Sequence, residues 1–347
     1  MMLEHLESIQ SVAVVGATGL VGTEFLSILA EHKIKFSKMK FLASSESAGE
    51  SIEFDGVPRA VEELDKDSFR GIEVAFFSVP RNVTERFVPI AVSSGTLVVD
   101  DSSVYRMNKD VPLIVPEVNG SLLREFTRKI LSTPNCTTTP LALVLKPLQD
   151  AFGLERVTVS TYQSVSGAGR EANEELSRQV IQLLNGAAMD EPRVFPRQIA
   201  FNCLPQIGSV GETGESEEEL KITRETRKIL GLPKLRIGAT AVRVPTFCGH
   251  GLSVGVEFEQ DFESVEQVRG LLDSFAGVKV IDNPASQIYP INLDCIGDNS
   301  TFVGRIRRDF SVRSGVNLWI IADNLRKGAA LNALQILETL YRYRSMS

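Results

Sequence analysis

Ser11-Val12-Ala13-Val14-Val15-Gly16-Ala17-Thr18-Gly19-Leu20-Val21-Gly22 is the stretch that decides the fold of this 347-residue chain. Residues 11–15 form an apolar run typical of a buried strand. Glycines at every third position from Gly16 to Gly22 then predict a tight turn. From Thr23 to Glu31 the apolar residues recur at helical spacing. The stretch therefore predicts a strand, a turn and a helix in succession.

Further β-rich runs follow at 39–43, 74–79 and 96–100, separated by helical or turn segments. This alternation predicts an open parallel sheet with helices on both faces. Beyond residue 133 the runs are longer, which predicts a second α/β domain with an antiparallel or mixed sheet. The amphipathic segment 329–342 predicts a terminal helix that packs back onto the first domain. We expect one domain over 1–132, completed by 324–347, and another over 133–323.

The Gly16-x-x-Gly19-x-x-Gly22 spacing indicates a dinucleotide site, because glycines let the backbone approach a pyrophosphate at a helix N-terminus. Thr18 stands where the common G-x-G-x-x-G pattern has a glycine. The alternative is a glycine turn without a ligand. The strand-turn-helix context favours the dinucleotide.

The second strand ends at Ser44-Ser45-Glu46. An acidic residue at the very end of this strand would favour the ribose 2′-hydroxyl of NAD. The two serine hydroxyls could instead hold a 2′-phosphate, which the nearby Glu46 would repel. These residues leave NADP and NAD both open.

Cys136 lies in Thr133-Pro134-Asn135-Cys136-Thr137-Thr138-Thr139-Pro140, before an apolar run. Pro134 disfavours helix at Thr133, and threonines are natural helix-capping residues. We therefore expect Cys136 at a loop-to-helix junction, where the helix N-terminus favours a thiolate. A nucleophile is the favoured interpretation, and a buried structural cysteine is the alternative.

His250 is the histidine most suited to catalysis, because His5 lies in a terminus expected to be mobile and His32 at the end of a surface helix. The segment from Arg243 through Pro245 to Gly251 predicts an exposed loop, in which glycines on both sides of His250 argue against tight packing. An imidazole there could act as acid or base near neutral pH.

Two further segments are candidates for the site. Glu218 and Lys221 are three residues apart in a predicted helix and so share a face; the alternative is an acidic first turn that complements the helix dipole. The segment 160–169 predicts a strand that opens into a turn of small residues, where Gln163 could donate and accept hydrogen bonds. Those small residues could admit a nicotinamide ring.

Composition excludes several classes of function. The net charge of -7 argues against a nucleic-acid-binding surface. The four cysteines are scattered without metal-ligand spacing, which suggests free thiols in a reducing compartment and no metal. The N-terminus lacks a hydrophobic signal core, and no run reaches about 18 apolar residues. A cytoplasmic protein without membrane spans is expected.

Together these motifs resemble the aspartate-semialdehyde dehydrogenase family nearly from end to end. The resemblance implies a Rossmann-like N-terminal domain and an α+β catalytic and dimerisation domain. One departure is Glu46, where the family usually has an Arg that meets the 2′-phosphate. The motifs are Gly-Ala-Thr-Gly-Leu-Val-Gly at 16–22, Ser-Ser-Val-Tyr-Arg-Met at 102–107, Val-Pro-Glu-Val-Asn at 115–119, Pro-Asn-Cys-Thr-Thr at 134–138, Tyr-Gln-Ser-Val-Ser-Gly-Ala-Gly at 162–169, Glu-Glu-Leu-Lys at 218–221, Arg-Val-Pro at 243–245, Gly-His-Gly at 249–251 and Ala-Asp-Asn-Leu-Arg-Lys-Gly-Ala-Ala at 322–330.

The resemblance also implies roles for individual residues. Cys136 would be the nucleophile, His250 the general acid/base, and Gln163 would orient the acyl intermediate. Glu218 and Arg243 would hold the amino and carboxylate ends of the substrate, again with Gln163. Arg106, Asn135 and Lys221 would bind phosphate. The cofactor site would be lined by Gly16, Thr18, Gly19, Leu20, Val21, Gly22, Ser44, Ser45, Ser166, Gly167 and Asn324.

The implied reaction is the reversible, phosphate-dependent, NADP-dependent conversion of L-4-aspartyl phosphate to L-aspartate 4-semialdehyde through a thioester on Cys136. It would serve lysine, threonine, methionine, isoleucine and diaminopimelate biosynthesis, in a homodimer. NAD use stays open because of Glu46. Rival hypotheses are N-acetylglutamyl-phosphate reductase or an acyl-CoA reductase on the same scaffold, and a catalytically silent paralogue that binds nucleotide.

Overall fold

A computed structural model describes residues 3–346 of the chain. Its backbone divides into two compact units, Met1–Asn135 with Ala329–Ser347, and Cys136–Gly328. The elements of the first unit, before its final helix, are a 3-10 turn Glu4–Ser8, β1 (Ser11–Val15), α1 (Leu20–Glu31), β2 (Lys38–Ala43), β3 (Ser51–Phe54), β4 (Val57–Ala60), β5 (Glu62–Glu63), β6 (Val74–Phe77), α2 (Arg81–Ser93), β7 (Leu97–Asp100), α3 (Pro116–Asn119), a 3-10 turn Gly120–Leu123 and β8 (Ile130–Ser132).

The elements of the second unit follow in the chain. A π-helical segment and the last helix, which returns to the first unit, come after them. In chain order, the remaining elements are α4 (Thr138–Phe152), β9 (Leu154–Gln163), a 3-10 turn Val165–Ala168, α5 (Arg170–Leu184), α6 (Glu217–Leu230), β10 (Arg236–Arg243), β11 (His250–Phe258), α7 (Val265–Asp273), β12 (Val278–Val280), a 3-10 turn Pro284–Ser286, α8 (Asn292–Cys295), β13 (Thr301–Arg308), β14 (Gly315–Ala322), the π segment Arg326–Ala330 and α9 (Leu331–Ser345).

The first unit is built on a parallel sheet in the order β5-β2-β1-β6-β7-β8. Successive residues of a strand face opposite sides of the sheet. Val12 and Val14 of β1 accordingly pack in a cluster with α1 and α9, whereas Ala13 and Val15 pack with α2. The predicted parallel sheet with helices on both faces is confirmed.

The terminal helix α9 packs within the first unit, because its buried apolar residues join the cluster of β1 and α1. It also holds the start of the chain. The backbone N–H of His5 donates to Glu338 Oε2 at 2.8 Å, and His5 Nδ1 lies 2.7 Å from Glu338 Oε1. The prediction of a mobile terminus around His5 is therefore wrong. Local sequence patterns do not identify a partner that lies 333 positions away in the chain.

The second unit contains a mixed sheet in the order β10-β9-β11-β14-β13-β12, as the longer runs predicted. β10 runs parallel to β9, whereas β11 is antiparallel to both β9 and β14. Tyr162 and Trp319 form a tilted aromatic pair at 5.4 Å, and Tyr162 stays 43% exposed. No helix in the described part of the chain is long and apolar enough to cross a membrane.

Replacing Leu334 in α9 by alanine should destabilise the protein by about 2–5 kcal/mol, because its fully buried side chain would leave a cavity. Leu334 is 1% exposed, whereas Leu122 of the same unit is 57% exposed. Leu122→Ala is therefore the matched control and should change stability by less than about 0.5 kcal/mol. Urea denaturation followed by circular dichroism measures both; equal effects would contradict the packing of α9.

Candidate active site

Four strand ends meet at one edge of the mixed sheet. Gln163, the last residue of β9, pairs with Arg243 at the end of β10 and with His250 at the start of β11. His250 pairs in turn with Ala322 at the end of β14, which is two residues before Asn324. The register therefore gathers Gln163, Arg243, His250 and Asn324, which lie far apart in the sequence.

His250 is buried within the sheet, not exposed on a loop as predicted. The flanking glycines permit tight packing here, contrary to the expectation that they argue against it. A Cβ atom at Gly249 would lie 2.8 Å from Cys295 Sγ, and one at Gly251 would lie 2.4 Å from Trp319 Cζ2. The side chains of Cys295 and Trp319 occupy the space that a larger residue would need.

The hydrogen bonds of His250 define its tautomer. The backbone N–H of Ser164 donates to His250 Nδ1 at 3.1 Å. Because a backbone N–H can only donate, Nδ1 must present its lone pair, and the proton of the neutral ring sits on Nε2. Nε2 is buried and has no hydrogen-bond partner among residues 3–346. Burial, helped by the positive charge of Arg243, lowers the pKa of His250 to about 3.

Gln163 and Glu218 belong to one buried hydrogen-bonded row. Gln163 Nε2 donates to Glu218 Oε1 at 3.1 Å, and Thr161 Oγ1 donates to Gln163 Oε1 at 3.0 Å. Lys221 lies 3.4 Å from Glu218 Oε2 and 3.2 Å from Glu217 Oε1. The shared helical face of Glu218 and Lys221 is confirmed, since both lie on α6. The row places the Glu218 carboxylate beside Gln163, and the Lys221 ammonium group beside that carboxylate.

Arg243 is a buried cation with a fixed guanidinium. Its Nη1 donates to the backbone oxygen of Ser164 at 2.7 Å. Burial lowers the pKa of Arg243, while the charges of Glu218 and Cys136 oppose that shift. Arg243 thus interacts electrostatically with both the buried carboxylate and the cysteine. A planar guanidinium in this position suits a carboxylate ligand.

Cys136 lies at the loop-to-helix junction predicted for it. It is half-buried, and α4 begins two residues later with Thr137 as the N-cap. The helix N-terminus and the charge of Arg243 both favour a thiolate. Gly328 packs directly on the cysteine, because a Cβ atom there would lie 3.0–3.2 Å from the O, Cβ and Cα atoms of Cys136. Gly328 belongs to the π segment, a feature frequent at functional sites.

Ser166, Gly167 and Asn324, three of the expected cofactor residues, lie beside this cluster. Asn324 Nδ2 donates to Ser166 Oγ at 3.0 Å. A Cβ atom at Gly167 would lie 3.0 Å from Arg243 Nη1 and 3.1 Å from His250 Nε2. The missing side chain at Gly167 therefore keeps the space over Arg243 and His250 open.

Arg106 and Asn135, two of the three predicted phosphate ligands, belong to the first unit, whereas Lys221 belongs to the second. Arg106 is buried, and its Nη2 donates to the backbone oxygen of Asp101 at 2.6 Å. Burial raises the pKa of Asp101 to about 6, against the opposing charge of Arg106. Asp101 also accepts from Thr133 Oγ1 at 2.6 Å. The motifs predict Arg106 only as a phosphate ligand and do not indicate its interaction with Asp100 and Asp101, although both precede it closely in the sequence.

The glycine turn of the first unit fits a dinucleotide. Gly16 has a φ of +88°, and a Cβ atom there would lie 2.2 Å from Ser78 O. A Cβ atom at Gly22 would lie 2.1 Å from Gly16 O. No side chain caps the N-terminus of α1, which follows Gly19. The N-terminus of α1 is therefore not covered by a capping side chain at the place where a pyrophosphate would approach.

A cavity of about 650 Å³ opens at this turn, lined by Gly16, Thr18, Gly19 and Ser44 among others. Leu20, Val21, Gly22, Ser45 and Glu46 are not among its lining residues. Glu46 lies in the exposed turn after β2. Charged residues from other segments line the cavity and were missed by motif reading, namely Glu63, Asp65, Lys66 and Arg86. Among residues 3–346, no three metal-ligating His, Cys, Asp or Glu side chains come together.

Comparison with known proteins defines the class. A family model described as "Semialdehyde dehydrogenase, NAD binding domain" matches residues 11–126, and one described as "Semialdehyde dehydrogenase, dimerisation domain" matches residues 145–327. These matches cover most of the chain. The fold is thus that of the two-domain semialdehyde dehydrogenases.

Individual relatives narrow this class. The aspartate-semialdehyde dehydrogenase of Bacillus subtilis (strain 168) is 42% identical over 336 residues, covering 95% of this chain and 96% of the relative. A crystal structure of aspartate semialdehyde dehydrogenase II complexed with ASA, from Vibrio cholerae, has 40% identity and a TM-score of 0.92, covering 96% and 98%. The Candida albicans enzyme with NADP has 26% identity and a TM-score of 0.76, covering 97% and 99%. The chain belongs to the aspartate-semialdehyde dehydrogenase family of oxidoreductases.

The close approach of Gly328 to Cys136 can be tested by adding a methyl group at Gly328. Gly328→Ala should slow iodoacetamide alkylation of Cys136 about tenfold, because the new methyl group must displace the cysteine backbone. Gly270 in α7 is the control, since nothing lies within 4 Å of a Cβ atom there. Peptide mass spectrometry over time measures both variants. An unchanged alkylation rate in Gly328→Ala would show that the close contact is without consequence.

The protonation state of His250 is also measurable. Its ring should stay neutral, with the proton on Nε2, between about pH 5 and about pH 9, because its pKa of about 3 lies below this range. 15N NMR of histidine-labelled protein distinguishes the tautomers, and only three histidines contribute signals. His250→Asn assigns the resonance. Conversion to imidazolium on acidification to about pH 6 would refute the buried neutral ring.

Proposed function

We propose that this chain catalyses the NADP-dependent reductive dephosphorylation of L-4-aspartyl phosphate to L-aspartate 4-semialdehyde, and the reverse phosphate-dependent oxidation. The observation that carries the proposal is the meeting of Gln163, Arg243 and His250 at one sheet edge, with Arg243 in electrostatic contact with Cys136. The relatives named aspartate-semialdehyde dehydrogenase support the activity.

Cys136 is the nucleophile in this proposal. Its thiolate attacks the acyl carbon, and the bond from that carbon to the phosphate oxygen breaks. Phosphate departs, and a thioester remains on the enzyme. A thiolate suits both steps, because it attacks strongly and later departs readily. NADPH, when bound, supplies the hydride that reduces the thioester carbon. The carbon–sulfur bond of the resulting thiohemiacetal then breaks, which releases the aldehyde and restores the thiolate.

His250 is the acid and base for the oxygen of the thiohemiacetal. Its neutral ring carries a proton on Nε2 and keeps it oriented through the bond from Ser164 to Nδ1. The Nε2–H group donates a hydrogen bond to this oxygen, shares its proton as negative charge develops there, and keeps the proton when the aldehyde forms. Gln163 orients the acyl group, since its side chain is fixed by Thr161 and Glu218.

The charged groups bind the ends of the substrate. Glu218 pairs with the amino group and Arg243 with the carboxylate. Both side chains are largely desolvated, so their electrostatic attraction to a ligand group of opposite charge is stronger than it would be in water. Lys221, with Arg106 and Asn135, binds phosphate. These assignments follow the family resemblance, and the burial of Glu218 and Arg243 supports them.

The glycine turn from Gly16 to Gly22 binds the pyrophosphate of the cofactor. Ser44 and Ser45 bind its adenosine end. Ser166, Gly167 and Asn324 receive the nicotinamide. We propose NADP, in line with the Candida albicans relative, with NAD as the alternative because Glu46 replaces the usual Arg. Lys66 and Arg86 line the cavity and could supply the positive charge for a 2′-phosphate.

We further propose a cytoplasmic homodimer that uses the second unit, which matches a dimerisation domain. Its product would supply lysine, threonine, methionine, isoleucine and diaminopimelate synthesis. The four cysteines are free thiols, in keeping with a reducing compartment.

The direct test is an assay of the purified protein with L-aspartate 4-semialdehyde and either NADP or NAD, with and without phosphate. Reduced cofactor should form only with phosphate, because the thioester needs an acceptor. Cys136→Ser should lower the rate by about a thousandfold or more. Cys203→Ser, at an exposed cysteine outside the site, should leave the rate within about twofold.

Other outcomes favour the rivals. Faster turnover of N-acetylglutamate 5-semialdehyde, or of an acyl-CoA, would move the assignment to the related reductases. No turnover, together with no adduct on Cys136 after treatment with an acyl-phosphate analogue, would support a silent paralogue. Turnover independent of phosphate would refute the acyl-phosphate mechanism.

A further inference from the structure

The backbone of Gly249, next to His250, is held from both sides by asparagine side chains. Asn324 Oδ1 accepts the N–H of Gly249 at 2.9 Å. Asn292 Nδ2 donates to the carbonyl oxygens of Gly249 at 2.7 Å and Cys248 at 2.9 Å. We name Asn292 and Asn324 the asparagine clamp. Asn292 carries no role in the motifs discussed above.

Gly249 needs such a clamp because its conformation is unusual. Its φ of +83° lies in the left-handed region, which glycine enters easily but in which it is not confined. A Cβ atom there would lie 3.1 Å from Asn292 Nδ2. The same absence of a side chain that lets Asn292 approach also leaves this backbone free to adopt other conformations unless the clamp holds it.

The orientation of His250 depends on that backbone. His250 begins β11, and its ring must meet the N–H of Ser164 through Nδ1. A rotation at Gly249 would tilt the ring away from Ser164 and remove the bond that selects the Nε2–H tautomer. Nε2 faces the space that Gly167 leaves open beside Arg243 Nη1. The clamp thus controls where the ring proton points.

Asn292 is well placed to act as a fixed anchor. It begins α8, whose Cys295 is fully buried against Phe302 and Ile321. The preceding residues are held as well, because Trp319 Nε1 donates to Pro290 O at 3.1 Å. Asn292 is therefore tied to the second unit on both sides, through Pro290 before it and Cys295 after it.

We propose that Asn292 is a positioning residue of the active site, which holds the Cys248–Gly249 backbone so that neutral His250 presents its Nε2 proton to the reacting oxygen. The inference rests on the proposed role of His250 as acid and base. Because Asn292 donates to the backbone oxygens of Cys248 and Gly249, we expect it to act on the proton-transfer step and to leave the binding of substrate and cofactor unchanged.

The test uses Asn292→Asp and Asn292→Ala in the full chain. The aspartate is nearly isosteric but turns a donor into an acceptor that faces two carbonyl oxygens; the alanine removes the donor without adding charge. Both should lower kcat about 10- to 100-fold, with KM for semialdehyde, phosphate and cofactor within about threefold. The matched control is Asn283→Asp, which adds the same charge nearby in sequence but keeps its acceptor bond to the N–H of Ser286. It should leave kcat unchanged.

15N NMR of the histidines supplies a readout independent of activity. In the clamp variants the His250 signals should change from a single Nε2–H tautomer to a mixture, while Asn283→Asp keeps the single form. An unchanged kcat with an unchanged tautomer overturns the proposal. An altered tautomer with full activity instead overturns the role of His250 in the proposed function. A rise in the cofactor KM with kcat preserved would make Asn292 a binding residue and also overturn the proposal. Should Asn292→Asp not fold, Asn292→Ala alone decides between these outcomes.

Discussion

The pairing of Gln163 with both Arg243 and His250 is the constraint on which the candidate site depends. In a sheet the side-chain period is two, so a slip of one residue would turn each of these side chains to the opposite face. The β10–β9–β11 register therefore fixes which groups meet, before any side-chain hydrogen bond forms. The ladder also rigidifies them, because a strand end inside a sheet moves less than a loop tip.

Burial then determines the charge state of the groups that the register brings together. Arg243 keeps its charge with the help of Glu218 and Cys136, whereas His250 stays neutral beside the same cation. A second positive charge so close to Arg243 would cost more than the local carboxylate can offset. The site thus separates a permanent cation, suited to hold an anionic group, from a neutral donor that can exchange a proton. Two basic residues take different roles because their surroundings differ.

The sequence predicted the fold well, since periodicity and glycine spacing are local signals. The strand-turn-helix at 11–22, the mixed second sheet and the helix that carries Glu218 and Lys221 were all predicted, and the family resemblance is confirmed. Contacts between distant segments were not. Gly-His-Gly at 249–251 resembles a loop when read alone, yet β9 and β14 enclose it. Asn292 gave no signal at all, because its importance lies in the backbone that it meets. The roles of the individual site residues stay predictions.

The discontinuity of the first unit has a consequence for biosynthesis on the ribosome. The second unit is continuous, from Cys136 to Gly328, whereas the core of the first contains residues of α9, and His5 meets Glu338 across 333 positions. As the chain emerges from the ribosome, the first unit cannot complete its core until α9 has left the exit tunnel. By then the whole of the second unit has already been synthesised. The nascent sheet around β1 must meanwhile expose the apolar face that α9 will cover. Chaperone dependence during synthesis should therefore concentrate on the N-terminal part of the chain.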